Sequence, residues 1–258
     1  MDFTLKKYQE LLHALQRAGY VFLTFEEYCR GDRPPRFVVL RHDVDDLAAN
    51  SLHFAQLQAH FGIRASYYFR AVPQSWDEAV IKGIASLGHE VGYHYENLTT
   101  HQGDKAKAIA DFQTHLHALR QLVTVRTICM HGSPRSPYDS KALWDAYDYH
   151  DYGIIGEPYF DVDFDKVFYL TDTGRRWDGW RSSVRDKVPQ QTQWLQSGLV
   201  YGSTDDILAA LKAGDFPNSL MMTFHPQRWH DKPRPWFREL LVQNIKNAFK
   251  KVFLVRQT

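Results

Sequence analysis

One apolar run that ends in acidic side chains, residues 37–46 (FVVLRHDVDD), constrains this chain more than any other segment. Its aromatic and β-branched residues predict a buried strand with the acids at its carboxyl end. Side chains alternate along a strand, so Asp43 and Asp45 should share a face with Arg41, and His42 should lie on the other face. Two carboxylates in one pocket repel each other, and such a pair usually serves a metal, another cation or a shared proton. The alternative is that the acids only start a helix.

Amphipathic segments alternate with further apolar runs along the chain. Asp46 is predicted to cap a helix from Leu47 to about Phe61, and a first helix is predicted around residues 5–15, ended by Gly19. Strands that alternate with helices at this rhythm predict parallel βαβ units in one barrel-like α/β domain. The other predicted helices are 76–87 (capped by Ser75), 104–123, 207–213 (capped by Thr204 or Asp205) and 237–252, and the other predicted strands are 64–69, 125–130, 160–164, 167–170 and 220–224.

The size and charge of the chain exclude several classes of protein. At 258 residues it can bury one large core, and a single domain over residues 1–258 is expected. A net charge of +1 predicts no basic surface for nucleic acid or membrane, so a small-molecule or oligosaccharide partner is expected. Cys29 and Cys129 lack the spacing of a disulfide framework or zinc knuckle and are predicted to be buried thiols. The absence of a long apolar span predicts no transmembrane segment and a cytoplasmic location.

Histidines also occur in one short, partly β-branched segment and directly after two more predicted strands. The segment 88–96 (GHEVGYHYE) contains two imidazoles and two carboxylates, with His94 and Glu96 on one face if the backbone is extended. His131 and His225 each come directly after an apolar strand and before a turn. A single histidine is more often an ordinary hydrogen-bonded residue than a ligand. Titratable groups that converge at several strand ends are typical of an active site.

A fifth cluster, residues 169–177, brings an acid, a base and an indole to another strand end. Asp172 and Arg175 could bond the hydroxyl groups of a sugar while the face of Trp177 covers its apolar side. The alternative is a salt-bridged loop with Trp177 in the core, and the sequence does not decide between them. Arg41 and Trp229 complete the candidate substrate-binding residues.

Together, the acids after the first strand, the 88–94 run and the late strand that ends at His225 resemble the polysaccharide deacetylases, the family-four carbohydrate esterases with a NodB-homology domain. The resemblance runs from about residue 36 to 230, and its first two motifs are the specific ones. It implies a distorted (β/α) barrel, here with an extra N-terminal helix. It also implies a divalent metal, usually zinc, held by one Asp and two His, with a second Asp as base and a late His as acid.

The chain departs from that family pattern in three places. The usual adjacent Asp pair is Asp43-Val44-Asp45, which leaves open which acid is the base; Asp43 is assigned as base and Asp45 as ligand. The usual second histidine is replaced by Leu98. The usual Arg-Pro-Tyr loop, whose arginine holds the base, is replaced by the segment that begins at His131. With His94 as one ligand, the remaining ligand must come from one of three residues: His131, which is preferred, His101 or Glu96.

The resemblance implies a metal-dependent hydrolase that removes an N-acyl group, expected to be N-acetyl, from an amino sugar or its nucleotide- or lipid-linked precursor. The pattern looks most like a divergent branch found in surface-polysaccharide and lipopolysaccharide biosynthesis. Asp43 would take a proton from water and His225 would protonate the departing amine. Zinc is expected, and cobalt, nickel or iron also suit mixed oxygen and nitrogen ligands. Two alternatives stay open: hydrolysis of a non-sugar cyclic amide or ureide, and non-catalytic carbohydrate binding.

Overall fold

A computed structural model describes residues 1–31, 33–133, 136–178, 183, 185 and 187–253. Its strands are β1 (Val21–Leu23), β2 (Phe37–Val44), β3 (Ser66–Phe69), β4 (Glu90–Tyr95), β5 (Ile128–Met130), β6 (Phe168–Thr171) and β7 (Ser219–Phe224). Its α-helices are α1 (Leu5–Arg17), α2 (Phe25–Arg30), α3 (Ala48–His60), α4 (Glu78–Ser86), α5 (Asn97–Thr100), α6 (Lys105–Arg120), α7 (Pro158–Asp161), α8 (Gln191–Gln196), α9 (Thr204–Ala213) and α10 (Pro233–Phe253).

All of these strands run parallel in one sheet, in the order β5-β4-β3-β2-β7-β6. β7 pairs with one edge of β2, while β1 and then β3 pair with successive parts of its other edge. Among the described residues no strand pair joins β5 to β6, so the sheet is a curled half-barrel. The predicted α/β fold with a distorted, barrel-like parallel sheet is confirmed.

β2 is the central strand, and every residue in it is buried. Its even-numbered residues Val38 and Leu40 join the larger core beneath the helices, whereas Phe37 and Val39 join a smaller core on the inner face of the curled sheet. The strand continues four residues beyond the apolar run and carries Asp43 to its carboxyl end. Because parallel strands all end at the same edge, the polar residues after β2, β4, β5, β6 and β7 are brought together there.

The extra N-terminal helix is present as α1 and packs against α9. Thr4 caps it by accepting the N–H of Lys7 at 3.1 Å, and four side chains of its apolar stripe are fully buried. One of them, Tyr8, has its hydroxyl 3.1 Å from Nε2 of His42 in β2. The helix therefore covers the outer face of the strand that carries the acids.

Several local predictions were wrong. Asp46 does not cap α3: the residue before the helix is Leu47, in a left-handed conformation with φ of 50°, and it makes no side-chain cap. α4 is capped by Asp77, because the Ser75 hydroxyl instead bonds the carbonyl of Val44. Segment 160–164 is not a strand; a Pro at the first position of α7 and the Glu157 cap start a helical turn there. The cap of α9 is Ser203 rather than either predicted residue.

Both cysteines are free thiols, and Cys129 is fully buried, as predicted, while Cys29 is partly buried. None of the helices in the described part of the chain is both long enough and apolar enough to cross a membrane.

Candidate metal centre

The inner face of β2 carries a buried ion pair between Arg41 and Asp43. The Arg41 guanidinium donates from Nε and Nη2 to the two carboxylate oxygens of Asp43, both at 3.0 Å. Its Nη2 also lies 3.2 Å from the hydroxyl of Tyr169 and 3.4 Å from that of Tyr159. The shared face of the two β2 residues agrees with the two-residue period of a strand. A bidentate guanidinium of this kind holds the carboxylate in one orientation.

Three side chains from different strand ends meet beside this pair. Asp45 follows β2, His94 lies in β4 and His131 follows β5. Nδ1 of His131 lies 3.0 Å from Oδ1 of Asp45 and 3.3 Å from Nε2 of His94. Nε2 of His94 lies 3.5 Å from the same carboxylate oxygen. The structure thus brings together the three predicted ligands, with one ligand atom of each within 4.8 Å of the others.

The donor set suits a divalent cation. His94 donates from Nδ1 to the carbonyl of Cys129 at 2.9 Å, so the lone pair of its Nε2 faces Asp45 and His131. Burial alone would raise the pKa of Asp45, but three neighbouring imidazoles, that of His131 foremost, hold it well below its usual range. An ionised carboxylate and two imidazole nitrogens are ligands that zinc and similar first-row metals bind.

A second possible ligand set shares one histidine with the first. Asp43, His94 and Cys129 also offer ligand atoms within 4.8 Å of one another. Both carboxylate oxygens of Asp43, however, already accept hydrogen bonds from Arg41. A cation bound there would face a guanidinium at short range, and the repulsion favours the set that contains Asp45.

His225, the predicted acid, is oriented by a buried carboxylate. Oδ1 of Asp172 lies 2.5 Å from Nδ1 of His225, and its Oδ2 accepts the backbone N–H of the same residue at 2.9 Å. Burial would raise the pKa of Asp172, but the neighbouring His225 and Arg228 lower it, so the carboxylate accepts and Nδ1 donates. The other ring nitrogen, Nε2, lies 3.8 Å from Oδ2 of Asp45. Trp229 also donates from Nε1 to Asp172, at 2.6 Å.

The two alternatives for the third ligand are engaged elsewhere. Nε2 of His101 lies 3.1 Å from the carboxylate of Asp111, in the region of α5 and α6. Glu96 accepts from Nε and Nη2 of Arg70 at 2.9 and 2.6 Å. Its other oxygen lies 3.8 Å from Nε2 of His131, on the side of the ring away from Asp45. That oxygen accepts instead from the hydroxyl of Ser133 at 3.1 Å, because 3.8 Å is too long for a hydrogen bond to the ring.

The side chains that the sequence suggested for substrate binding are buried. Trp177 packs against Phe224, and its indole N–H donates to the hydroxyl of Thr204 at 2.9 Å. Arg175 lies over the ring of Trp236 at 4.6 Å and donates to its carbonyl. A sugar needs an exposed indole face, so the packing of Trp177 matches the alternative that the sequence left open, a loop with this indole in the core. The five candidates, none more than 5% exposed, are Arg41, Asp172, Arg175, Trp177 and Trp229.

Two residues that support the cluster were not found by sequence analysis. Arg70 directly follows β3 and donates from Nη1 to the carbonyl of Asp45 at 3.2 Å, in addition to its bonds with Glu96. Gln227, just beyond β7, donates to Oδ2 of Asp45 at 3.2 Å. The signal that could have identified both is their position directly beyond a strand that ends at this edge of the sheet.

Comparison with known proteins finds distant structural similarity only. No protein-family model matches the sequence, and no curated protein matches it significantly. A CE4 esterase from Streptococcus mutans is 16% identical, with a TM-score of 0.45 over 92% of this chain and 91% of that chain. A family 4 carbohydrate esterase from Bacillus anthracis is 10% identical, with a TM-score of 0.44 over 92% and 84% of the two chains.

Enzymes and a pseudoenzyme occur among these structures. A CE4 family pseudoenzyme from Bacillus anthracis is 11% identical to this chain, with a TM-score of 0.42 over 84% of this chain and 66% of that chain. With similarity this distant, the activity of the present chain has to be inferred from its own side chains.

Proposed function

We propose that this protein is a metal-dependent hydrolase that removes an N-acetyl group from an amino sugar or from its nucleotide- or lipid-linked precursor. The observation that carries the proposal is that Asp45, His94 and His131 meet in one cluster. On one side of it lies the Asp43 carboxylate, which Arg41 holds, and on the other lies the His225 imidazole, which Asp172 orients. The amino-sugar substrate is supported by the resemblance of the strand-end motifs to the polysaccharide deacetylases.

Asp45, His94 and His131 would hold the divalent cation, with zinc as the first choice. A cation bound by these groups would supply Lewis acidity, polarising the amide carbonyl and making a nearby water more acidic. The chain itself keeps the ligands in place, because Cys129 orients His94 through its carbonyl and Gln227 bonds the Asp45 carboxylate.

The two remaining groups move the protons of the reaction. Asp43 accepts a proton from the attacking water as the water oxygen bonds to the amide carbon. Arg41 is a positioning residue that keeps this carboxylate aimed at the cluster. His225 gives a proton from Nε2 to the nitrogen as the carbon–nitrogen bond breaks, so the products are the free amine and acetic acid, and the proton that Asp43 took replaces the one that His225 gave. Asp172 is a positioning residue that keeps the Nδ1 proton of that ring in place.

The proposal is tested with the purified full chain, its Asp43→Asn variant and its His94→Ala variant. Metal content is measured first, and released acetate is then assayed over a panel of N-acetylated free, nucleotide-linked and lipid-linked amino sugars. The wild type should bind about one equivalent of metal and release acetate from at least one substrate. Asp43→Asn should retain the metal and lose at least about a hundredfold in kcat, whereas His94→Ala should lose both.

Asp205→Asn, at an exposed carboxylate paired with Lys7 far from the cluster, is the matched control and should behave as the wild type. Less than about a tenth of an equivalent of metal, without recovery on adding zinc, would contradict the metal site. Loss of metal in Asp43→Asn equal to that in His94→Ala would show that Asp43 is a ligand and not the base.

A further inference from the structure

Helix α10 presents a stripe of large apolar side chains to solvent. Phe237, Leu241 and Ile245 follow one another at intervals of four residues, and they are 56%, 62% and 70% exposed. Residues at this spacing lie on one side of a helix. Single exposed apolar residues are ordinary, but a continuous stripe of them marks an interaction surface.

The same helix concentrates positive charge in a chain that is almost neutral overall. Residues 233–253 contain five basic residues and one acid, Glu239, whereas the whole chain has a net charge of +1. Arg234 and Arg238 are exposed, and their spacing places them on the same side of the helix as the apolar stripe. The basic residues of the segment are Arg234, Arg238, Lys246, Lys250 and Lys251.

The opposite side of α10 is attached to the rest of the protein. The indole N–H of Trp236 donates to the carbonyl of Asp2 at 2.7 Å, and Arg175 donates to the carbonyl of Trp236 at 2.8 Å. Asn247 donates to the carbonyl of Gly174 at 2.9 Å. These contacts fix the helix on the N-terminal segment and on the loop that follows β6, at the edge of the sheet where the metal centre lies, with the stripe facing outward.

We propose that α10 binds the surface of a membrane rich in anionic lipids and lies in the plane of the interface. Phe237, Leu241 and Ile245 would enter the boundary between headgroups and acyl chains, while Arg234 and Arg238 contact the lipid phosphates. A second copy of this chain fits the stripe less well, because packing the stripe on itself would place four arginines, Arg234 and Arg238 of each copy, in one interface with little acidic charge to offset them. Binding would bring the edge that holds the metal centre to the membrane surface.

The experiment is co-sedimentation of the full chain with vesicles of phosphatidylcholine alone and of phosphatidylcholine with phosphatidylglycerol. The protein should bind only the anionic vesicles, and added salt should weaken binding because it screens the charges. Arg234→Gln/Arg238→Gln should lower the partition coefficient about thirtyfold. Leu241→Gln/Ile245→Gln should lower it at least about tenfold. All of these side chains are exposed, so the variants should show unchanged thermal unfolding.

Matched controls remove similar groups elsewhere on the surface. Lys107→Gln/Lys166→Gln removes two cations whose side chains are 73% and 82% exposed, and Leu195→Gln removes an apolar residue that is 41% exposed on α8. Leu195→Gln should lower the partition coefficient less than about twofold. Lys107→Gln/Lys166→Gln should lower it far less than the change at the two arginines does.

Equal binding to both vesicle types, or binding to neither, overturns the inference. So does a concentration-dependent dimer that Leu241→Gln/Ile245→Gln dissociates, since the stripe would then be a protein interface. None of these outcomes depends on the proposed hydrolysis.

Discussion

His131 is the residue on which the proposed metal site depends most, because Leu98 stands where a second histidine would be expected. His131→Ala should lower zinc affinity by more than about a hundredfold, since it removes a donor and leaves only Asp45 and His94. Isothermal titration with zinc measures the change. His101→Ala, which removes an imidazole that contacts Asp111, is the matched control and should bind zinc as the wild type does. The opposite pattern would make His101 the ligand.

Asp172 should act through the His225 ring rather than on substrate. In Asp172→Asn the ring loses the carboxylate that holds its Nδ1 proton, so kcat should fall by about a hundredfold or more while KM changes little. The ¹⁵N shifts of His225 provide a readout independent of activity: they should report protonation at Nδ1 in the wild type and a changed tautomer population in the variant. If neither the ¹⁵N spectrum of the His225 ring nor kcat changes in the variant, Asp172 does not position that ring.

Contacts between side chains of one strand were easier to predict from the sequence than contacts between side chains of two strands. The pairing of Arg41 with Asp43 follows from the two-residue period of β2, and the structure has it. The pairing of Asp172 with His225 depends on β6 lying beside β7, which no local pattern states. The sequence therefore identified Asp172 as a polar residue at a strand end but suggested a sugar as its partner. The place of Trp177 was left open, because an indole in a loop and an indole in a core have the same local sequence.

Gly92 in the middle of β4 is required by close packing against β3 and against Thr127, the residue before β5. A Cβ there would collide with the ring of Tyr68 and would lie 2.8 Å from the carbonyl oxygen of Thr127. Gly92→Ala should therefore destabilise the protein by about 2 kcal/mol or more, as measured by urea unfolding, because backbone cannot easily move aside. Gly83→Ala in α4 is the matched control: its Cβ would lie 3.4 Å from Leu52 Cδ1, and the gain in helix propensity should make it neutral or stabilising by about 0.5 kcal/mol. Equal losses in both variants would contradict this account.

Periodic elements were predictable from the sequence, whereas their ends were not. The helices α1, α3, α6 and α10 and the strands β2, β3, β6 and β7 lie where their hydrophobic periods predict. Their caps depend on contacts with other parts of the chain; Ser75, for example, bonds the carbonyl of Val44, and it is Asp77 that caps α4. The three-residue β1 is too short to show a period, and it exists because it pairs with β2.

The whole molecule shows why its site could be predicted only in outline. A parallel sheet brings every strand's carboxyl end to one edge, so the sequence could predict that the polar residues there meet. It could not predict the strand order, in which β7 inserts between β2 and β6 and carries His225 beside Asp45. The overall charge also hid the excess of basic residues in α10, because a net value of +1 averages over the whole chain.

His42 should make the stability of the molecule depend on pH. It is fully buried on the outer face of β2, where Ser66 O lies 3.2 Å from its Nδ1 and both Tyr8 and Gln58 contact its Nε2. Burial lowers its pKa to about 3, from an ordinary value of 6.5. The unfolded chain therefore binds a proton at this residue that the folded protein excludes. This contribution to the free energy of unfolding is present above pH 6.5 and is lost as the pH falls towards 3.

Urea unfolding at pH 7 and pH 4.5 measures the effect. His42 should contribute a loss of about 2 to 3 kcal/mol between these values, and His42→Gln should remove that part of the slope even if it lowers stability at both pH values. Glu157 acts in the opposite direction, because burial raises its pKa to about 7 and its contribution is lost as the pH rises from 4.5. Wild type and variant share Glu157, so the difference between their slopes isolates the buried imidazole. His53→Gln, at an exposed position of α3, is the control and should keep the pH dependence of the wild type. If the free energy of unfolding of His42→Gln also depends on pH as that of the wild type does, His42 does not cause the loss of stability in acid.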